Sequence, residues 1–182
     1  TASAKAVAEL REKFKPTPFI AIEPAYKMVY DKNPDGFTLV MATKGTLESE
    51  KFHRLYYKYN NHKTELHACV GLADVIEKGD REEIKNLSDT LSQYRGKVDN
   101  VVLGCTHYPL VKKEIAEVLG NVRFFDGAEG VSKQLKRVLC ENGILSDKKE
   151  RANIEFIDSS ADEKTREIKK QRFYKIISED NI

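Results

Sequence analysis

The stretch "NVVLGCTHYPL" at residues 100–110 decides the fold class. Val101, Val102 and Leu103 form a continuous apolar run, which is typical of a strand that is covered on both faces of a parallel sheet. Pro109 follows soon after and fits the first turn of a helix. The stretch therefore predicts a buried strand that turns into a helix, with a thiol, a hydroxyl and an imidazole at the corner between them.

The same unit, a strand followed by a helix, recurs on both sides of this corner. Further strands are predicted in residues 19–22, in "FTLVMA" (37–42), "ELHACVGL" (65–72), "VRFFD" (122–126) and "NIEFID" (153–158). Segments with apolar residues at helical spacing lie between them. This alternation indicates an α/β fold with a mostly parallel sheet.

Composition excludes several classes of protein. Lys and Arg total 31 against 29 for Asp and Glu, and the signs are interleaved, so the net charge of +2 offers no broad basic surface for nucleic acid. No apolar run approaches the ~18 residues that a membrane span needs. Neither a Walker loop nor a GxGxxG motif occurs, so a bound nucleotide is not expected. We expect a globular protein that binds neither nucleic acid nor a membrane.

The cysteines indicate a reducing environment. Cys69, Cys105 and Cys140 are odd in number, widely spaced and without a CxxC motif, which argues against a disulfide framework and against a structural zinc site. The opening segment, residues 1–14, has the pattern of an amphipathic helix rather than of a signal peptide. These features favour the cytoplasm. Cys69, inside a strand, and Cys140, on an apolar helix stripe, are predicted to be core residues.

Cys105 lies at the predicted corner between strand and helix, where open α/β sheets bind their ligands. Backbone N–H groups at such a corner stabilise a thiolate and attract a substrate carboxylate. Gly104 lets the backbone approach closely, Thr106 adds a hydroxyl, and His107 can exchange a proton near neutral pH. The corner is therefore a candidate catalytic site.

Two other interpretations of Cys105 stay open at this point. A cysteine after an apolar strand is often a core residue. Metal binding by Cys105 and His107 is a weaker interpretation, because a site needs three or four ligands. The other histidines, which have no paired ligand spacing, are His53, His62 and His67.

Two further segments carry polar candidates. "MATKGT" at 41–46 places Thr43 and Thr46 around a glycine turn, where hydroxyls can hold the ammonium or carboxylate of an amino acid. Capping of the next helix by Thr46 is an equally good interpretation. "LADVIEKGD" at 72–80 carries Glu77 at the end of an apolar stretch, and an exposed helix carboxylate is its default interpretation.

Taken together, "VVLGCTHYPLV" at 101–111 resembles the second catalytic-cysteine motif of the glutamate racemases, which are members of the aspartate/glutamate racemase superfamily. Three other stretches agree in order and spacing. They are "FIAIEPAYK" (19–27), similar to the opening of the family's second domain, "MATKGTLES" (41–49), similar to its substrate loop, and "ACVGLADVIEKGD" (68–80), similar to the stretch that carries its glutamate. The resemblance covers most of residues 1–140 and fades after that.

The resemblance implies racemisation of glutamate without a cofactor, by two cysteines that act on opposite faces of the α-carbon. It implies that Cys105 is one of the pair, that His107 is its acid/base neighbour and that Glu77 supports this histidine. The implied substrate contacts are Thr1, Thr43, Thr46 and Thr106. The resemblance also implies a cytoplasmic enzyme without pyridoxal phosphate or a metal, which supplies D-glutamate for peptidoglycan and forms homodimers.

The family fold consists of two similar α/β domains that face each other. By this resemblance, residues 18–127 are the second domain, a parallel-sheet three-layer sandwich that carries Cys105, and residues 1–17 and 128–182 are remnants of the first. The family's first catalytic cysteine lies in a Cys-Asn-Thr-Ala motif, and this chain opens with its Thr-Ala. We therefore expect the opposing thiol to be absent from the chain, and no racemisation by the 182 residues alone.

Three alternatives to a glutamate racemase stay open. The first is a racemase of the same superfamily for aspartate or another amino acid, since the length of the pocket rather than the cysteine motif selects the substrate. The second is a binding module or fragment without catalytic activity. The third is a Cys/His hydrolase, which needs an orienting Asp or Asn and an oxyanion hole that the sequence does not place.

Overall fold

The computed structural model describes residues 2–22, 25–60, 62–148, 150 and 153–179. Residues 1–145 form one compact unit and residues 146–182 form a second. The strands are β1 (Thr38–Ala42), β2 (Thr64–Ala68), β3 (Asn100–Leu103) and β4 (Arg123–Phe125). The α-helices are α1 (Ala2–Lys13), α2 (Tyr26–Lys32), α3 (Lys44–Leu47), α4 (Glu50–Tyr59), α5 (Leu72–Lys78), α6 (Arg81–Lys85), α7 (Leu87–Leu91), α8 (Lys112–Leu119), α9 (Ala128–Glu141) and α10 (Glu163–Glu179). Short 3-10 helices span Ser92–Tyr94 and Tyr108–Val111.

The described strands form one parallel sheet in the order β2-β1-β3-β4. Ala42 at the end of β1 pairs with Ala68 at the end of β2, and Met41 pairs with Leu103 at the end of β3. The carboxyl ends of these three strands therefore lie side by side at one edge of the sheet. The predicted α/β class is confirmed. Four of the predicted strands are also confirmed, and they correspond to β1, β2, β3 and β4.

Helices cover both faces of the sheet, which gives the predicted three layers. One face packs Leu39, Met41, Val101 and Leu103 against helices α5 to α8. The other face packs Val40, Val102 and Phe125 against α2 and α4. Successive residues of a strand point to opposite faces, so a strand with two covered faces needs apolar residues at every position. This requirement explains the continuous apolar run in β3.

The connections that leave β1 and β3 lie on opposite faces of the sheet. α4 follows β1 and packs through Phe52 on the face of Val40, whereas α8 follows β3 and packs through Ile115 on the face of Val101. Because β1 and β3 are neighbours, we expect a crevice between their carboxyl ends, since open α/β sheets bind their ligands at such a switch point. Thr43 and the Cys105 loop lie on its two sides.

Two of the predicted strands are wrong. Residues 19–22 and 153–158 have no regular secondary structure and pair with no strand of the described sheet. A short apolar segment becomes a strand only where a neighbouring backbone satisfies its N–H and C=O groups. Local apolar pattern alone does not supply that neighbour.

The core predictions for Cys69 and Cys140 have different outcomes. Cys69 is buried, as predicted. Cys140 is exposed, so its assignment to the core is wrong. No residue of α9 is buried, because the apolar stripe of this helix packs only partially against the described part of the chain. An apolar stripe on a helix does not by itself place a residue in a core.

In the unit of residues 146–182, the structure describes α10 and a segment without regular secondary structure before it. The hydroxyl of Tyr174 donates to the carbonyl of Ile154 at 2.9 Å. Lys169 pairs with Asp158 at 3.3 Å. These contacts hold the segment along the helix. None of the helices in the described residues combines the length and the apolar composition needed to cross a membrane.

Candidate active site

The candidate site is a row of residues that follow the carboxyl ends of β2, β1 and β3. The N–H of Cys69 donates to the carbonyl of Ala42 at 2.9 Å, and the N–H of Gly104 donates to the carbonyl of Met41 at 2.7 Å. Backbone pairing to β1 thus continues for one residue beyond the ends of β2 and β3. Cys105 comes directly after this last pairing, at the mouth of the crevice, and its side chain is half-buried.

Gly104 allows the closest approach between β3 and β1. A Cβ at this position would lie 2.8 Å from Cβ of Ala42 and 3.0 Å from the carbonyl oxygen of Met41. Real Cβ atoms are not found that close to other heavy atoms, so any side chain here would push the two strands apart. The close backbone approach predicted for Gly104 is therefore an approach to β1.

Cys105, His107 and Glu77 form a chain of polar contacts. Sγ of Cys105 lies 3.8 Å from Nδ1 of His107, and Nε2 of His107 lies 3.1 Å from Oε2 of Glu77. The side chains of His107 and Glu77 are 34% and 49% exposed, so the contact is open to solvent. A carboxylate only accepts hydrogen bonds, which assigns the ring hydrogen to Nε2 and leaves Nδ1 as the acceptor facing the sulfur. This arrangement can pass a proton from the thiol to the imidazole.

Unpaired backbone donors surround Cys105. Within the described residues, the N–H groups of Cys105, Thr106 and His107 donate to no protein acceptor. The next N–H group along the chain is paired, since the N–H of Tyr108 donates to the carbonyl of Cys105 at 3.2 Å. Three consecutive free amides beside a thiol can stabilise its anion or hold a carboxylate.

The helix after Cys105 starts later than the sequence indicates. Pro109 lies in the 3-10 helix Tyr108–Val111, and α8 begins only at Lys112. The N-terminus of an α-helix is therefore not directly at Cys105. The backbone donors at the corner are therefore those of the loop. Thr106 is exposed in this loop.

Thr43 and Thr46 lie at the other side of the crevice. Their hydroxyl oxygens are 2.9 Å apart, and Oγ1 of Thr43 accepts the N–H of Thr46 at 3.3 Å. Thr43 therefore caps α3, while Ser49 caps α4 by accepting the N–H of Phe52. The interpretation of Thr46 as a helix cap is wrong, because its buried hydroxyl contacts Thr43 instead. Thr1 lies outside the described residues.

Cys69 and Tyr108 are buried residues next to the candidate site. Burial raises the pKa of the Cys69 thiol to about 12, so this sulfur stays protonated at neutral pH. Tyr108 is fully buried, and its hydroxyl donates to the carbonyl of Cys69 at 3.3 Å. Burial also raises the pKa of Tyr108. Sequence reasoning assigned no role to Tyr108, because only the tertiary structure reveals its burial and its partner.

The carboxyl end of β4 is held by an ion pair. Nζ of Lys112 lies 2.7 Å from Oδ2 of Asp126, and the N–H of Ala128 donates to Oδ1 of the same carboxylate at 3.0 Å. Burial by itself raises the pKa of Asp126, but the hydrogen bonds from Lys112 and Ala128 and the charge of Lys112 together lower it. The pair joins the start of α8 to the start of α9. In the part of the chain that the structure describes, no group of three His, Cys, Asp or Glu residues is arranged to hold a metal ion.

A family model for Asp/Glu/Hydantoin racemase matches residues 1–134. The glutamate racemase of Clostridium perfringens is 41% identical over 177 residues, which are 94% of this chain and 68% of that protein. The glutamate racemase of Clostridium acetobutylicum is 39% identical over 169 residues, 90% of this chain and 66% of that protein. The chain thus spans about two-thirds of the length of these curated relatives.

Solved structures of glutamate racemases share the fold. The Escherichia coli glutamate racemase, in complex with L-glutamate and the activator UDP-MurNAc-ala, matches with a TM-score of 0.74 at 27% identity, over 92% of this chain and 66% of that chain. The Francisella tularensis glutamate racemase in complex with D-glutamate matches with a TM-score of 0.63 at 28% identity, over 81% of this chain and 57% of that chain.

Proposed function

This chain belongs to the Asp/Glu/Hydantoin racemase family, and from that premise we propose that the protein containing it racemises glutamate without a cofactor. The observation that carries the proposal is the contact chain from Cys105 through His107 to Glu77 at the crevice between β1 and β3. Glutamate is the proposed substrate because the curated relatives are glutamate racemases and two of the matched structures hold L- or D-glutamate.

In the first proposed step, Cys105 removes the α-proton of glutamate. The thiol first gives its proton to Nδ1 of His107, 3.8 Å away, and Glu77 stabilises the resulting imidazolium through Nε2–H. The thiolate then takes the α-proton, and the electron pair of the broken C–H bond stays on the α-carbon. This step leaves a neutral thiol and a planar carbanion whose charge spreads into the α-carboxylate.

Inversion requires a second acid on the opposite face of that carbanion. Cys69 does not fit this role, because its thiol is buried in the core and burial raises its pKa to about 12. We assign the second acid to a cysteine in the part of the longer protein that this chain, at about two-thirds of its relatives' length, does not span. That cysteine delivers its proton to the α-carbon and becomes a thiolate, ready for the reverse reaction.

The free amides of Cys105, Thr106 and His107 are the proposed site for the α-carboxylate. Negative charge grows on this group as the carbanion forms, so donors fixed in advance lower the barrier most at that stage. The Thr106 hydroxyl and the Thr43 hydroxyl, from the two sides of the crevice, are proposed contacts to the substrate. Thr46 acts through its 2.9 Å contact with Thr43, and Thr1 is assigned by resemblance alone.

The wider setting follows from family resemblance and stays a prediction. Residues 18–127 are proposed as the second of two facing domains, and residues 1–17 and 128–182 as parts of the first. We also propose that the enzyme forms homodimers and supplies D-glutamate for peptidoglycan in the cytoplasm.

The proposal is tested by exchange of the α-proton of glutamate in D2O, followed by proton NMR, with a racemase-length protein that contains this sequence. We expect exchange with either enantiomer, loss in Cys105→Ser of exchange with the enantiomer whose α-proton Cys105 removes, and normal exchange in the matched control Cys140→Ser. Exchange of both enantiomers at the normal rate in Cys105→Ser would exclude this cysteine as a base. Preferred turnover of aspartate when both amino acids compete would replace glutamate as the substrate.

The 182-residue chain is assayed in parallel. We expect no net racemisation by this chain, because the acid on the second face is missing from it. Clear racemisation by the chain alone would contradict the assignment of that acid to another part of the protein.

A further inference from the structure

We infer that Tyr108 is a positioning residue, whose buried hydroxyl holds the loop with Cys105 and His107 in register with the helix that carries Glu77. This inference rests on the proposed function for its catalytic meaning. Its structural content, however, concerns only contacts inside this chain and can be tested without turnover.

Tyr108 reaches across the sheet. It belongs to the connection that leaves β3, yet its hydroxyl donates to the carbonyl of Cys69, which follows β2, at 3.3 Å. Strand β1 lies between β2 and β3, so the side chain spans the end of the middle strand. The ring is 0% exposed and is one of the largest fully buried side chains in the described chain.

The bond from Tyr108 closes a ring of hydrogen bonds around the three strand ends. The bonds of this ring are Gly104 N–H to Met41 O (2.7 Å), Cys69 N–H to Ala42 O (2.9 Å), Tyr108 O–H to Cys69 O (3.3 Å) and Tyr108 N–H to Cys105 O (3.2 Å). The loop that carries Cys105 and His107 is therefore tied at both of its ends. One tie goes to β1, and the other goes through Tyr108 to β2.

The same bond reaches the helix of Glu77. Cys69 lies just before Gly71, whose positive φ of 78° turns the chain into α5, and α5 packs against the 3-10 helix that begins with Tyr108. His107 is the residue before Tyr108, and Glu77 lies near the end of α5. The 3.1 Å contact between His107 and Glu77 therefore depends on the relative position of these two elements, and the Tyr108 hydroxyl ties the 3-10 helix to the segment that leads into α5.

A role in packing alone makes a different prediction from a role in positioning. Phenylalanine at this position keeps the ring and its buried surface but removes the donor to the Cys69 carbonyl. Loss of one donor from a buried pair weakens a site modestly and does not abolish a fold. Tyr108→Phe therefore separates the contribution of the hydroxyl from that of the ring.

The experiment measures how fast iodoacetamide modifies Cys105 in the 182-residue chain at neutral pH, by mass spectrometry of peptides. The exposed Cys140 in the same molecules gives the reference rate. We expect Tyr108→Phe to lower the Cys105-to-Cys140 rate ratio about three- to tenfold, because Nδ1 of His107 no longer stays near the sulfur. The matched control Tyr94→Phe removes another tyrosine hydroxyl, 3.4 Å from His67, and should leave the ratio unchanged.

A double-mutant cycle tests whether Tyr108 acts through His107. In a His107→Gln background, Tyr108→Phe should have no further effect on the ratio. Replacement of Tyr108 by 4-aminophenylalanine, which restores a donor, should restore the ratio. An unchanged ratio in Tyr108→Phe, the same loss in the His107→Gln background, or a Tyr108→Phe chain that fails to fold would each overturn the inference.

The alkylation test of Tyr108 and the exchange test of the proposed function can fail independently of each other. If the ratio falls as expected but the racemase-length protein does not exchange the α-proton of glutamate, the proposed function fails and Tyr108 still positions the thiol and the imidazole. If exchange occurs but the ratio is unchanged in Tyr108→Phe, the proposed function stands and the inference about Tyr108 fails.

Discussion

Nε2 of His107 lies 3.1 Å from Oε2 of Glu77, although 30 residues separate the two in the chain. Glu77 comes from the connection between β2 and β3, and His107 comes from the connection between β3 and β4. Both connections pack on the same face of the sheet, the face of Val101. The pair therefore exists because two successive crossovers share one layer, and the proposed acid/base chemistry depends on that layer.

Glu77→Gln should lower kcat of the racemase-length protein about tenfold and leave KM for glutamate nearly unchanged, since a neutral amide stabilises the imidazolium less than a carboxylate does. Steady-state kinetics in both directions measures this. The control is Glu117→Gln, an exposed carboxylate on α8. Equal losses in the two variants would mean that charge near the site, rather than the contact with His107, matters.

Gly104→Ala should lower the free energy of unfolding by about 1–3 kcal/mol, because the new Cβ overpacks the contact between β3 and β1. The comparison is Gly130→Ala in α9, where a Cβ meets nothing within 4 Å. That change should raise the free energy of unfolding by about 0.5 kcal/mol, since alanine favours a helix over glycine. Urea denaturation measures both, and stabilisation by Gly104→Ala would contradict the 2.8 Å approach to Ala42.

Cys69 should resist alkylation in the folded chain. Its pKa is raised to about 12 by burial, so at neutral pH it is a protonated and inaccessible thiol, whereas Cys140 is exposed and should react. Peptide mass spectrometry after iodoacetamide treatment measures each site, and all three cysteines should react in urea. Rapid modification of Cys69 in the native state would show that the end of β2 opens, and Cys69 would then be a candidate for the second acid.

Asp126→Asn should destabilise the chain by about 1 kcal/mol at neutral pH, a modest value because Lys112 is 41% exposed and its charge is screened. Asparagine still accepts the N–H of Ala128, so the change isolates the ion pair. The pKa of Asp126 is lowered in the folded state, so its contribution is present above the unfolded pKa and is lost as pH falls through the folded value. The difference between the two chains should therefore shrink below about pH 4. A difference that is constant between neutral and acidic pH would exclude the charge of Asp126 as its source.

Local pattern carries a large part of the fold. The apolar run at Val101 to Leu103 and the turn residues around it predict a doubly covered strand that ends before Cys105, and the structure agrees. The same reasoning overpredicts strands at residues 19–22 and 153–158, because an apolar pattern reports a preference for burial and not the presence of a neighbouring strand. It also places Cys140 in a core that the described chain does not build around it.

The sequence by itself determined the α/β class, the position of Cys105 at a strand end and, through a recognisable motif, the racemase family. These depend on residues that are close together in the chain. The resemblance implied that Glu77 supports His107, but only the tertiary structure decided the geometry of that contact and the bond from Tyr108 to the carbonyl of Cys69. Both contacts depend on strand order and on the face that each crossover takes, and spacing along the chain encodes neither of them.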